Sequence, residues 1–229
     1  MTVGIYSSIW IFQHPCRTFH HFQPGTGLRG AASLHTPRSP YTGELKTSPY
    51  QLLRSREIFR NPWIRLRQDE VRRQDGTHTS FGVVDMKAGS SILAFDSRRE
   101  VYLVREYKYA VARESLEVIS GGIEPGEPPL DAARRELKEE AGLEAAEWVD
   151  MGLIEPFTSV IASPNYLFMA LGVREGASRP DDGEMVSVEK VPFERALEMT
   201  LAGGITHGAS TVLILKADRW LREHPKKLG

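Results

Sequence analysis

Between Gly121 and Leu143 the chain reads GGIEPGEPPLDAARRELKEEAGL, and no other stretch of the 229 residues fixes a helix and both of its ends so tightly. Pro128 and Pro129 suit a helix start, where a missing N–H costs little, and Gly142 suits the left-handed residue just past a helix end. The spacing predicts a helix over Leu130 to Ala141. At ~100° per residue, Leu130, Ala133, Leu137 and Ala141 form an apolar stripe, while Glu136, Glu139 and Glu140 crowd an adjacent arc of about 100°. Arg134 and Lys138 point elsewhere. Such a helix docks on a core through its stripe and holds three carboxylates at the edge of that contact.

Like charges four apart, as at Glu136 and Glu140, cost an exposed helix a few tenths of a kcal/mol. A solvated acidic face, screened by Arg134, Arg135 and Lys138, is one way to bear that cost. A hard divalent cation is the other, because Mg2+ or Mn2+ takes oxygen ligands and keeps room in its shell for waters and substrate phosphates. The wider spacing decides between them. Gly121, five residues, Glu127, seven residues, then RELKEEAGL from Arg135 to Leu143 satisfies Gx5Ex7REUxEExGU at every specified position, U being an apolar aliphatic. At residue frequencies of about 5 to 7% each, seven fixed identities do not coincide by chance.

That pattern is the Nudix box, so the chain resembles the Nudix hydrolases, and within them the ADP-ribose pyrophosphatase group. The likeness extends less specifically from about Tyr50 to the C-terminus, through LVREYKYA before the box, DDGE after it and FERALEMTLAGGI near the end. The resemblance implies an α/β/α sandwich around a mixed sheet, with the box as loop, helix and loop. It also implies Mg2+-dependent hydrolysis of a nucleoside diphosphate linked to a group X, with Mn2+ as an alternative ion. Carried over by position, Glu136 and Glu140 are the principal metal ligands and Glu139 a further ligand or base. The carbonyl of Ser120 completes the metal shell. Arg135 and Glu127 orient these groups by ion pairing, and Gly121 and Gly142 serve the backbone. Glu184 matches a downstream metal ligand. Asp182 stands at the position of the general base, although the group commonly has the longer glutamate there.

For the substrate, the resemblance singles out Arg105 and Lys108 in LVREYKYA as contacts to phosphate or ribose, with Lys108 standing where the group commonly has arginine. Lysine lacks the bidentate fork of arginine. Glu117, in LEVISGG, matches a pre-box glutamate that touches metal or ribose. Trp63, in FRNPWIRL, lies where dimeric members stack an aromatic on adenine, the alternative being a core tryptophan. Neither Pro156 nor Pro164 falls at the offset of the proline that marks ADP-ribose-specific members. ADP-ribose or a related ADP-sugar is the expected substrate. GDP-mannose or another nucleotide sugar, a dinucleoside polyphosphate and an oxidised nucleoside triphosphate stay open, as does a non-catalytic ligand-sensing module. The resemblance also implies a homodimer in which an N-terminal β subdomain completes the site of the partner.

The remainder of the chain sets the frame. Residues 1–47 hold four basic residues against Glu44 alone, a net of +3, and are rich in Gly, Pro, Ser and Thr without a sustained period. They are expected to form a poorly ordered tail, with an organelle-targeting segment or an over-extended start as alternatives. The overall charge of -1 lacks the basic excess that nucleic acid or anionic membranes call for. No apolar run reaches the length of a spanning helix. One cysteine, Cys16, rules out an internal disulfide and suits a reducing, cytoplasmic setting.

From Tyr50 onward the texture becomes alternating. A strand is expected on each side of Asp75-Gly76, a dipeptide suited to a tight hairpin turn. SSILAFD, EVYLVREY, LEVIS, WVDMGLIEPF, NYLFMALGV and MVSVEKV read as further strands, and PFERALEMTLA and GASTVLILKADRWLREH as helices. The interleaving points to an α/β (α+β) class rather than a regular βαβ array. The expected organisation is a tail at 1–47, a small N-terminal antiparallel β subdomain at 48–86 and a Nudix hydrolase domain at 87–229.

Overall fold

The structure, a computed structural model, describes residues 48–176 and 187–227. The expected tail and the loop carrying Asp182 and Glu184 lie outside the described residues. Two β-sheets and three α-helices account for most of the rest.

The first sheet is built from β1 (Tyr50–Arg60), β2 (Ile64–Arg73) and β3 (His78–Met86), paired antiparallel in that order. Asp75-Gly76 turns the chain as expected. Gly76 has φ +83°, which glycine adopts freely, and Asp75 Oδ1 accepts both the N–H (2.9 Å) and the hydroxyl (2.6 Å) of Thr77. Before that turn the alternation reads as a single strand, but the structure has two. Asn61-Pro62 breaks the run: Asn61 Oδ1 accepts the N–H groups of Trp63 (2.9 Å) and Ile64 (2.7 Å), and the Asn61 N–H reaches the Ile64 carbonyl at 3.0 Å. Such an Asx turn reverses the chain within an otherwise uniform polar–apolar beat.

The second sheet contains β4 (Gly89–Phe95), β5 (Glu100–Lys108), β6 (Arg113–Gly122), β8 (Glu147–Ile154), β10 (Asn165–Leu171) and β12 (Ser187–Pro192). Their order is β12-β5-β6-β4-β10-β8, antiparallel except for the parallel pair β4 and β10. Three two-residue strands complete the set: β7 (Leu143–Glu144) pairs with β11 (Arg174–Glu175), and β9 (Ile161–Ala162) runs parallel to β3. The mixed sheet and its helices confirm the expected α+β class.

Strand periodicity of two divides the core. On one face Leu93 and Phe95 of β4, Leu103 of β5, Val118 of β6 and Met169 of β10 pack with α2 (Phe193–Leu201) and α3 (Gly208–Glu223). On the other face Ile92, Ala94, Val104, Ile119 and Phe168, each one step along its strand, pack with α1 (Pro129–Ala141). The result is an α/β/α sandwich. Among the described residues no helix is long and apolar enough to cross a membrane.

Candidate active site

The ends of α1 follow the sequence expectation. Pro128 is the N-cap with Pro129 first in the helix, and Gly142 at φ 64° donates its N–H to the Leu137 and Lys138 carbonyls. Ala133 and Leu137 are buried against the sheet, so α1 is docked by its apolar stripe. That docking carries Glu136 partly into the interior, where it is 8% exposed, while Glu139 stays at the surface.

Arg135 organises the carboxylates around it. Its guanidinium donates to Glu127 through Nε and a terminal nitrogen at 3.0 Å each, to Glu136 Oε1 at 2.7 Å and to Glu139 Oε2 at 3.0 Å. A further N–H reaches the Gly122 carbonyl at 2.9 Å. A planar fork with five donors satisfies all of these at once, which an ammonium cannot do. The bonds from Arg135, joined by the Glu124 N–H at 2.9 Å, pull the Glu127 carboxyl down to about 2. Burial moves Glu136 the opposite way, above the ordinary carboxylate range, in spite of Arg135. Glu136 is therefore a carboxylate whose negative charge is only partly compensated inside the fold.

Gly121 explains itself at this point. A Cβ there would collide with the Glu136 carboxylate, so the bare backbone of β6 is what lets that side chain lie against the strand. One residue earlier, the Ser120 N–H donates to Glu140 Oε2 at 3.2 Å. Glu140 and Ser120 face a shallow cleft shared with Glu106, Lys108 and Glu117. The strand end and the helix thus bring Ser120, Glu136 and Glu140 together.

The donors available here are carboxylates and a backbone, an all-oxygen set that fits Mg2+ or Mn2+ and would not select a softer metal. The partly compensated charge of buried Glu136 is the second sign of fit. Among the described residues, no three acidic, histidine or cysteine side chains close into a metal-holding group. Arg135 explains this physically, since it draws both Glu136 and Glu139 toward itself.

The remaining residues singled out by sequence are distributed as follows. Lys108 lies in the cleft with Nζ 2.5 Å from Glu106 Oε2 and 4.0 Å from Glu117 Oε2. Burial works against its charge, but Glu106, with Glu117 and Glu140 behind it, holds its pKa above the usual lysine value. Arg105 is committed to Glu189 of β12 by a two-pronged ion pair and is raised in pKa chiefly by it. Trp63 is not a core residue: it is 73% exposed and lines a separate cleft with Arg60, Arg65 and Met86.

Two further groups belong to the site and carry no local signal in the sequence. Glu106 pairs with Lys108 in the cleft. His207, immediately before α3, places Nδ1 3.3 Å from Glu117 Oε2 and 2.9 Å from Ser210 Oγ. It stands ninety residues from Glu117, so only the folded sheet reveals the pair.

An α/β/α sandwich whose loop–helix–loop gathers glutamates around one arginine, beside a cleft holding a lysine, defines a class of phosphoanhydride-cleaving enzymes. Residues 86–208, more than half of the chain, match the NUDIX domain, and residues 50–84 match the nucleoside diphosphate sugar hydrolase N-terminal domain. The chain belongs to the Nudix family and is a pyrophosphohydrolase. It is similar to the ADP-ribose pyrophosphatase of Mycobacterium tuberculosis strain H37Rv, 27% identical over 173 residues, covering 72% of this chain and 82% of that one. The ADP-ribose pyrophosphatase of Escherichia coli K12 is 30% identical over 153 residues, covering 60% and 68%. The methanol dehydrogenase activator of Bacillus methanolicus is 24% identical over 148 residues, covering 64% and 80%. A crystal structure of an ADP compounds hydrolase superposes with a TM-score of 0.71 at 18% identity, over 78% of this chain and 97% of that one, which shows the shared fold.

Proposed function

We propose that this enzyme hydrolyses the diphosphate of ADP-ribose or a related ADP-sugar, giving AMP and a sugar phosphate. The observation that carries the reading is the Arg135 hub, which orients Glu127, Glu136 and Glu139 beside a cleft where Glu140 and Lys108 converge. The match of residues 50–84 to the nucleoside diphosphate sugar hydrolase N-terminal domain, and the similarity of 60 to 72% of the chain to ADP-ribose pyrophosphatases, support the substrate class.

In this reading Glu136, Glu140 and Glu139, with the Ser120 carbonyl and Glu184, hold Mg2+. Mn2+ is the alternative ion. A cation held there would supply charge neutralisation at the diphosphate and a more acidic attacking water. The chain's own groups do the rest. Lys108 meets phosphate oxygen as a point charge, Glu117 accepts from a sugar hydroxyl, and Arg105 approaches phosphate or ribose on release from Glu189. Asp182 takes the proton from water, with Glu139 as the other candidate base. Arg135 and Glu127 keep the ligands in position.

The tail at 1–47, the β subdomain at 48–86 and the hydrolase domain at 87–229 remain our proposed organisation, with a cytoplasmic setting that a single cysteine suits. The edge and face of the first sheet expose Leu52, Leu53, Ile58, Phe59 and Trp63, a patch that suits a second copy of this chain. In such a homodimer Trp63 would stack on the base bound by the partner subunit.

A Mg2+-supplemented panel of ADP-ribose, ADP-glucose, GDP-mannose, NADH, diadenosine polyphosphates and 8-oxo-dGTP tests the substrate. AMP release from ADP-ribose or ADP-glucose at the highest kcat/KM is expected. Cleavage of a triphosphate with no AMP from ADP-ribose would overturn the reading.

A further inference from the structure

The Glu117 carboxylate is 8% exposed, yet it lines the cleft with Ser120, Lys108 and Glu140. A buried carboxylate at a working surface needs its direction fixed, and the groups that touch it are few. His207 Nδ1 lies 3.3 Å from Oε2, and Lys108 Nζ lies 4.0 Å from the same oxygen. The shortest approach of each is to Oε2, so His207 and Lys108 stand on the same oxygen of a carboxylate that lines the cleft.

His207 is itself held from behind. Ser210, one turn into α3, stands 2.9 Å from Nδ1, and its Oγ accepts the Val118 N–H at 2.9 Å. The start of α3 is thereby pinned to the strand that carries Glu117. A bare Nδ1 would set its lone pair against the carboxylate, so the tautomer that carries its proton on Nδ1 is the one that suits Glu117. A neutral imidazole suffices for that, and desolvation outweighs the pull of Glu117 and keeps His207 below the ordinary histidine value, with Lys108 acting in the same direction.

We infer that His207 is a positioning residue for substrate binding: it holds the Glu117 carboxylate in place as acceptor for a substrate hydroxyl and keeps it from drawing in Lys108, which is left to meet phosphate. The inference rests on the diphosphate-hydrolase reading above. Without His207, the nearest cation able to satisfy Glu117 is Lys108, and closing that 4.0 Å gap withdraws both groups from the substrate together. Both groups hold the substrate alike in the ground state and in the transition state, so the loss falls on binding rather than on turnover.

The test uses the full chain with His207→Ala, His207→Asn and His207→Gln. The Asn amide nitrogen can stand where Nδ1 stands, whereas the Gln amide reaches one bond further. Two readouts are taken: KM and kcat for ADP-ribose with Mg2+, and the calorimetric Kd for ADP-ribose in EDTA, where turnover is absent. In Ala and Gln, KM and Kd should rise about five- to tenfold, the size of one ordinary hydrogen bond, with kcat within about twofold. Asn should restore both to within about twofold of wild type. Wild-type KM and Kd in the Ala protein, a fall in kcat alone, or equal impairment of Asn and Gln would each overturn the inference. If the Ala protein does not fold, the Asn and Gln pair decides. A wild-type enzyme that neither binds nor cleaves ADP-ribose overturns the substrate reading and this inference with it; an active wild type with an indifferent His207 overturns this inference only.

Discussion

Arg135 and Glu127 meet through two parallel N–H···O contacts of 3.0 Å each, across the eight residues that separate the box loop from the middle of α1. That fork ties the loop to the helix and leaves a third nitrogen of the same guanidinium for Glu136 and Glu139. Arg135→Lys should therefore lower kcat/KM by about ten- to a hundredfold, the usual cost of losing an orienting partner behind metal ligands. Steady-state kinetics beside circular dichroism would check it. A lysine enzyme within twofold of wild type would mean that the fork does not orient the ligands.

Glu140→Gln should abolish activity while leaving the fold intact, since the amide keeps the size of the side chain but removes its charge. Phosphate release and thermal unfolding measured on the same preparation decide the matter. Turnover above about a tenth of wild type would sink the metal assignment.

Gly121→Ala forces a methyl group into the Glu136 carboxylate. Overpacking of this kind costs about 1 to 3 kcal/mol, readable in urea unfolding, and activity should fall with it because Glu136 must swing away from β6. Gly82→Ala, where a methyl meets nothing within 4 Å, serves as the control and should leave activity unchanged.

Stability should also depend on acid through Asp96, which is 7% exposed at the β4–β5 turn. Burial opposes its charge, but Lys190 at 2.7 Å and the N–H groups of Glu100 and Arg98 outweigh it, so the carboxyl titrates below its ordinary value. Its contribution is present above the unfolded value of about 4 and is lost as pH falls through the lower folded value. Chemical unfolding at pH 7 and at pH 3 should show the difference, and Asp96→Asn should be about 1 to 3 kcal/mol less stable at pH 7 with a flatter acid limb. An unchanged acid limb would remove Asp96 from the account.

Sedimentation at micromolar concentration should give a dimer, and Leu53→Lys with Phe59→Lys should give a monomer by loading the exposed sheet with charge. A wild-type monomer would remove Trp63 as a contact to the partner's base.

Much of this arrangement was legible in the chain before it folded. Pro128 and Gly142 mark α1 because each imposes a backbone angle that needs no tertiary help, and the apolar run from Ile92 to Phe95 marks β4 as a strand. The break at Asn61-Pro62 was not legible, since polar and apolar residues keep their beat straight across it. Arg105 presented itself as a free cation because its partner, Glu189, lies 84 residues away. His207 gave no sign at all: a single histidine before a helix becomes meaningful only when the sheet delivers Glu117 beside it.

Strand β6 combines packing and recognition, with Leu116 and Val118 in the α3-side core, Ile119 in the α1-side core, and Glu117 among them lining the cleft. Evolution can then retune what the cleft recognises at Glu117, while Leu116, Val118 and Ile119 beside it are frozen by packing. A deep mutational scan across 114–121 would record tolerance for folding and tolerance for catalysis out of phase at Glu117.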